Sequence, residues 1–204
     1  IVLGVSSYSN YRWMPELTIR MIHHMISNLG IKESDKILDY GCAKGFIVKA
    51  FRILGYNAYG VDISEYAIKS ADSDVREFCD LIIDVNDKKI FNQHYDWMIS
   101  KDVFEHIQES ELRQLLQRAQ NHVDNLFAVI PVAAEDYSNK YIIPDYDRDV
   151  THVIAKSIDW WHEFFQSCDW NVDKRTNKFP GCKENWTSRW HNGNAFFILS
   201  SSHK

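Results

Sequence analysis

Three aspartates, Asp39, Asp62 and Asp84, stand 23 and then 22 residues apart, each at the end of a short apolar run. The first belongs to Leu38-Asp39-Tyr40-Gly41-Cys42-Ala43-Lys44-Gly45, which leads into a stretch with helical spacing. Small residues in such a turn let a ligand approach the backbone, and a helix N-terminus presents N–H groups to it. Asp62 is placed to accept both hydroxyls of a ribose, and Asp84 to meet an adenine amino group. Ile63 and Val85, each directly after its aspartate, are placed to sandwich a purine. A dinucleotide-binding G-x-G-x-x-G needs glycine at 41, 43 and 46, whereas Gly41, Ala43 and Phe46 stand there. The Lys-Ser/Thr of a P-loop is absent as well. Both points weigh against an NAD-dependent oxidoreductase.

Groups that could move a proton lie further on. His106 follows the fourth apolar run, and His152 closes Asp149-Val150-Thr151-His152. Either imidazole suits a base that takes a proton from an oxygen, nitrogen or carbon nucleophile. The competing reading makes His106 a packed structural residue and His152 an anchor for its loop. Trp186, Trp190 and His191 either line an aromatic pocket or pack in the core, and His23-His24 reads as surface.

These residues need a scaffold, and the hydrophobic pattern supplies one. From Pro15, Ile22, Met25, Ile26 and Leu29 give an amphipathic helix that Gly30 stops. Short strands are predicted at 36–40, 58–62, 81–83, 97–99 and 126–130. They alternate with helices carrying Ile47, Ala50, Phe51 and Leu54, then Ser64 to Ile68, then Leu112, Leu115, Leu116 and Ala119. Residues 133–152 are polar, tyrosine-bearing and broken by Pro144, and read as a long active-site loop. Ser157 then caps a helix with Trp161, Phe164, Phe165 and Cys168 on one face, and strands follow at 170–172 and 195–199. Alternating strands and helices imply a Rossmann-like α/β sandwich, a mostly parallel seven-stranded sheet with an antiparallel last strand.

The 204 residues suit a single domain, with 1–30 as an N-terminal cap region. Hydrophobic residues make up 45% and charged residues 25%, a globular balance. A net charge of −5 argues against a broad nucleic-acid face. No apolar run is long enough to span a bilayer, and the apolar start at Ile1 lacks the basic flank of a signal peptide. Four cysteines without a C-x-x-C pair fit a reducing compartment, so the cytoplasm is the expected location.

Asp39-x-Gly41-x-Ala43-x-Gly45, Gly60-Val61-Asp62-Ile63-Ser64, Asp84, and Tyr95 to Lys101 leading to Phe104-Glu105-His106 together resemble class I methyltransferases dependent on S-adenosylmethionine (SAM). The small-molecule branch typified by ubiquinone biosynthesis is the most similar. The likeness runs from about residue 13 to residue 200 and is strongest from 36 to 106, with Ala43 where the family has its middle glycine. The resemblance implies SAM as cofactor and methyl transfer to a small molecule. Asp39, Gly41, Cys42 and Gly45 would lie at the methionine end, Asp62 with Ile63 at the ribose and purine, and Asp84 with Val85 at the adenine. Lys101 would face the cofactor through its backbone, and Tyr11 and Arg12 would close over the cofactor carboxylate. Asp102, Glu105 and His106 are similar to a group that holds Mg²⁺ in quinone-type relatives, with Asp102 and His106 four apart on a helical face. Capping and surface charge explain the same residues, and no metal is assigned. A non-catalytic SAM-binding protein is the alternative. A nucleic-acid or protein substrate is opposed by Ser100-Lys101-Asp102-Val103, which stands where such enzymes carry Asn/Asp-Pro-Pro-Tyr/Phe.

Overall fold

The strands that follow residue 35 all join one sheet. The computed structural model describes residues 11–135 and 139–203. Among these, the strands are β1 (Lys36–Tyr40), β2 (Asn57–Asp62), β3 (Cys79–Leu81), β4 (Tyr95–Lys101), β5 (Val123–Pro131), β6 (Trp170–Thr176) and β7 (Asn194–Ser201). The helices are α1 (Pro15–Leu29), α2 (Phe46–Ile53), α3 (Glu65–Lys69), α4 (Glu109–Ala119), α5 (Ile158–Ser167) and α6 (Glu184–Arg189).

The spatial order is β3-β2-β1-β4-β5-β7-β6. β1 through β5 pair in parallel, while β7 runs antiparallel to both β5 and β6. The chain leaves β1 towards β2 on one side and returns with β4 on the other. The crevice beyond the carboxyl end of β1 is therefore the topological switch point, where open α/β sheets bind ligands.

Both faces of the sheet are covered, so successive strand residues point into different cores. Leu38, Met98, Leu126 and Ala128 pack with Leu112, Leu115 and Leu116 of α4 and with Trp161, Phe164 and Phe165 of α5. Ile37, Ile99, Phe127 and Val129 pack with Ile22 and Met25 of α1 and with Val48, Ala50 and Phe51 of α2. Burying both faces leaves the strand ends as the places where polar chemistry meets solvent.

The local signals for α1, α3 and α5 are realised. Proline opens α1, and Gly30 closes it in the left-handed conformation with φ of 71°. Ser64 caps α3 by accepting from the Ala67 N–H, and Ser157 caps α5 by accepting from Trp160. Two features differ from the pattern. β3 lies two residues earlier than the run Leu81-Ile82-Ile83, because its partner β2 ends at Asp62, which pairs with Leu81. Ile83 is left 83% exposed, and Asp84 sits in the bend beyond the strand. α6, for which the sequence pattern predicts no helix, is one short helix entered through Lys183 in a left-handed conformation.

Candidate active site

The turn after β1 has three residues with positive φ: Gly41 at 82°, Ala43 at 49° and Gly45 at 74°. Gly41 is required twice over, since a Cβ there would meet Val103 Cγ2 at 2.4 Å. Ala43 occupies the left-handed region with a side chain, a conformation costing about 1–2 kcal/mol. Asp62 offsets part of that cost. Its Oδ2 accepts the Ala43 N–H at 2.7 Å, and its Oδ1 accepts the Ser64 N–H at 2.7 Å. Asp62 thus staples the turn after β1 to the start of α3. A carboxylate offers about four lone-pair directions, so it keeps capacity for further donors such as a pair of hydroxyls.

Asp39 points into the same region and is almost wholly buried, with an Oδ2 that has no hydrogen-bond partner. Burial and the neighbouring Asp62 push its carboxyl up to about 8. An orphaned buried carboxyl oxygen at the switch point fits a ligand that brings an N–H or ammonium donor. Tyr11 lies over the turn, its ring 4.9 Å from that of Phe46, and its carbonyl accepts from Lys44 Nζ. Ile63 is half exposed beside Asp62. Asp84 is exposed and caps its own bend through the Asn86 N–H, whereas Val85 is drawn into the core beside Phe91 and Tyr95.

Beyond β4 the arrangement departs from the helical face expected of Asp102 and His106. Residues 104–106 form a single 3₁₀ turn, and Asp102 precedes it at φ of 57°. The Asp102 carboxylate turns away to two lysines, Lys101 at 2.6 Å and Lys183. Burial pushes this carboxyl up, but the two ammonium groups more than offset that and hold it well below the usual range. Lys183 also donates to the Tyr146 hydroxyl at 2.9 Å and to Asn194 Oδ1 at 2.8 Å. It ties the end of β4 to the segment after β5 and to the start of β7. Nothing in the sequence singled out Lys183, since a lone lysine before a short helix carries no motif.

The two histidines do come together, with ring centroids 4.5 Å apart. His152 Nδ1 lies 2.9 Å from the Tyr146 carbonyl, and His106 Nδ1 lies 2.8 Å from Thr151 Oγ1. The Glu105 carbonyl accepts from the N–H groups of both Val153 and Ile154, which fixes this contact in the backbone. Glu105 itself is buried, and burial with the nearby Asp102 raises its carboxyl to about 8. Burial, then the neighbouring His152, depress His106.

The described residues of segment 133–152 are less loose than their composition suggests. Ala133 bridges to Tyr141, Ile142 donates to the Val132 carbonyl, and Tyr141 and Ile143 are buried. The Tyr141 hydroxyl donates to the Ile154 carbonyl. Tyr137 lies outside the described residues. Trp186 stacks on Tyr146 with centroids 6.0 Å apart, and so reaches the rim of the site. A cavity of about 510 Å³ opens past β5, between Val132, Ala133, Ile142, Ile158 and Arg175.

A family model described as a methyltransferase domain matches residues 12–173, most of the chain. The chain belongs to the class I methyltransferase family. Solved structures of such methyltransferases share the fold. The complex of the Haloferax volcanii Trm112 methyltransferase activator with a methyltransferase matches at a TM-score of 0.70 and 14% identity, covering 94% of this chain and 92% of the other. A SAM-dependent methyltransferase from Clostridium acetobutylicum matches at 0.66 and 13% identity, covering 94% and 93%. The glycopeptide N-methyltransferase MtfA, solved with SAM, matches at 0.62 and 12% identity, covering 90% and 93%. No curated protein matches the sequence. Among the described residues, no helix is long and apolar enough to cross a membrane.

Proposed function

We propose that this methyltransferase domain moves a methyl group from SAM to a small-molecule acceptor, releasing S-adenosylhomocysteine, and that residues 1–204 act as one domain in the cytoplasm. The observation that carries the reading is the stapled turn at the switch point, with Asp62 fixed beneath it and the unpartnered Asp39 oxygen beside it. Asp39 accepts the amino group of the methionine end, with Gly41, Cys42 and Gly45 allowing close approach. Asp62 takes the ribose hydroxyls, Ile63 covers one face of the purine, and Asp84 with Val85 borders the adenine. Lys101 presents its backbone to the cofactor. When bound, SAM supplies an electrophilic methyl on a sulfonium, so the residues around it need only orient, exclude water and remove one proton.

His106 and His152 are the proton acceptors in this reading. The Tyr146 carbonyl can only accept a hydrogen bond, so the His152 proton sits on Nδ1 and Nε2 carries the lone pair. Thr151 donates its hydroxyl proton to Asp149 at 2.6 Å, so its oxygen accepts from His106 Nδ1, and again Nε2 is free to take a proton. Titration calorimetry tests the cofactor: micromolar binding of SAM and S-adenosylhomocysteine with no NAD signal is expected. Tight NAD binding without SAM binding would sink the reading.

A further inference from the structure

Asp102 is not available to the acidic-plus-histidine metal group that the sequence resembles, because two lysine ammonium groups hold its carboxylate. A residue from a distant segment stands in its place. We propose that Glu105, His106 and His152 form a site for a divalent transition ion of the zinc class, bound by one carboxylate oxygen and two imidazole nitrogens.

One ligand atom from each of the three lies within 4.8 Å of the other two. Both imidazoles hold their proton on Nδ1, fixed by the Tyr146 carbonyl and by Thr151, so both Nε2 atoms are lone-pair donors. The Glu105 residue is 1% exposed, and its Oε2 has no hydrogen-bond partner. The atoms left over by the surrounding bonds are thus two imine nitrogens and a carboxyl oxygen that releases its proton to bind an ion. A cation satisfies all three at once, and Asp149 Oδ2, 3.9 Å from His152 Nε2, adds negative charge beside them.

The donor set selects the ion. Mg²⁺ and Ca²⁺ take mainly oxygen ligands, whereas two imidazoles with one carboxylate suit zinc and its neighbours. The outer bonds are also those of a metal site, where each ligating histidine gives its second N–H to a carbonyl or polar oxygen that fixes the ring. Here His152 has the Tyr146 carbonyl, and His106 has Thr151 backed by Asp149. Three protein ligands leave positions open for water or another oxygen. The two uses of the Nε2 atoms exclude each other: they are ligands when an ion is bound, and the proton-accepting role of the proposed function belongs to the ion-free protein.

The whole protein, stripped with a chelator, is titrated with Co²⁺ as a spectroscopic substitute and with Zn²⁺ against a chromophoric chelator. One equivalent should bind, with visible ligand-field bands that disappear in His152→Gln and Glu105→Gln. Thr151→Val leaves the three ligands but removes the oxygen that orients His106, and should weaken binding about 10- to 100-fold. Thermal melts identify any variant that does not fold; if buried Glu105→Gln is one, His152→Gln and Thr151→Val carry the test. Absence of Co²⁺ bands in the stripped protein, or equal binding in folded His152→Gln, overturns the site. SAM affinity, measured separately, reports on the methyl-transfer reading and not on this one.

Discussion

The two ends of the site are built from opposite kinds of contact. At the β1 turn the bonds are short in sequence: Gly45 N–H to Cys42 carbonyl, Ser64 N–H to Asp62 two residues back, Ala43 N–H to Asp62 across 19 positions. At the histidine end they are long. His106 meets Thr151 across 45 positions, Lys183 meets Tyr146 across 37, and Lys183 meets Asp102 across 81. The first end needs only β1 and its neighbour β2 in place for its hydrogen bonds, and the second exists only once the whole sheet is assembled. Damage to the first should remove cofactor binding. Damage to the second should leave cofactor binding and remove turnover.

Gly41→Ala tests the local end most severely. A Cβ forced against Val103 at a φ of 82° should abolish measurable SAM binding and lower the melting temperature, read by calorimetry and thermal denaturation. Retained micromolar affinity would show the turn to be more pliable than its packing implies. His152→Ala is the counterpart at the distant end, where turnover should fall about 10²-fold with SAM affinity nearly unchanged. A fall in both would erase the distinction between the ends.

Asp62→Asn sharpens the local end further. Asp62→Ala would strip acceptors from two backbone N–H groups and so confuse folding with binding, at about 1–3 kcal/mol for each group left unsatisfied. Asparagine keeps one acceptor, and SAM affinity should still drop about tenfold, since charge-assisted bonds are worth about 1.5–3 kcal/mol. An unchanged dissociation constant would move the ribose contact elsewhere. The smallest effect is in pH. Burial, with Asp62 nearby, raises Asp39 from 3.8 to about 8, so the folded state binds a proton that the unfolded state has lost across that window. Stability from this group is full below the unfolded value and declines as pH rises towards 8. Asp39→Asn should flatten the melting-temperature profile over that range. An identical slope would mean the carboxyl ionises freely in the folded protein.

This division also explains what could be read from the sequence. Pro15, Gly30, Ser64 and Ser157 mark helix ends by acting on their immediate neighbours, so their positions were legible. The glycines of the β1 turn were legible for the same reason, whereas the hold of Asp62 on Ala43, 19 positions away, was not. Lys183 was not, because its significance lies in meeting Asp102, Tyr146 and Asn194, which no periodicity connects. The helical face assigned to Asp102 and His106 failed because one 3₁₀ turn and a left-handed Asp102 break the spacing rule. Segment 133–152 looked unstructured since the carbonyls that take Ala133, Ile142 and Tyr141, those of Lys156, Val132 and Ile154, lie outside it.

The strand order β5-β7-β6 has a consequence for where this protein can be divided. The family model's match ends at residue 173, within β6. β6 reaches the sheet only through β7, which enters later in the chain and lies between it and β5. A fragment cut at that boundary would keep every recognisable motif yet leave β6 as a strand with no sheet to join and β5 with an open edge. Asp102 would be left with one lysine in place of two. The last thirty or so residues therefore behave as a keystone: they lie outside that match, and the arch cannot close until they are set.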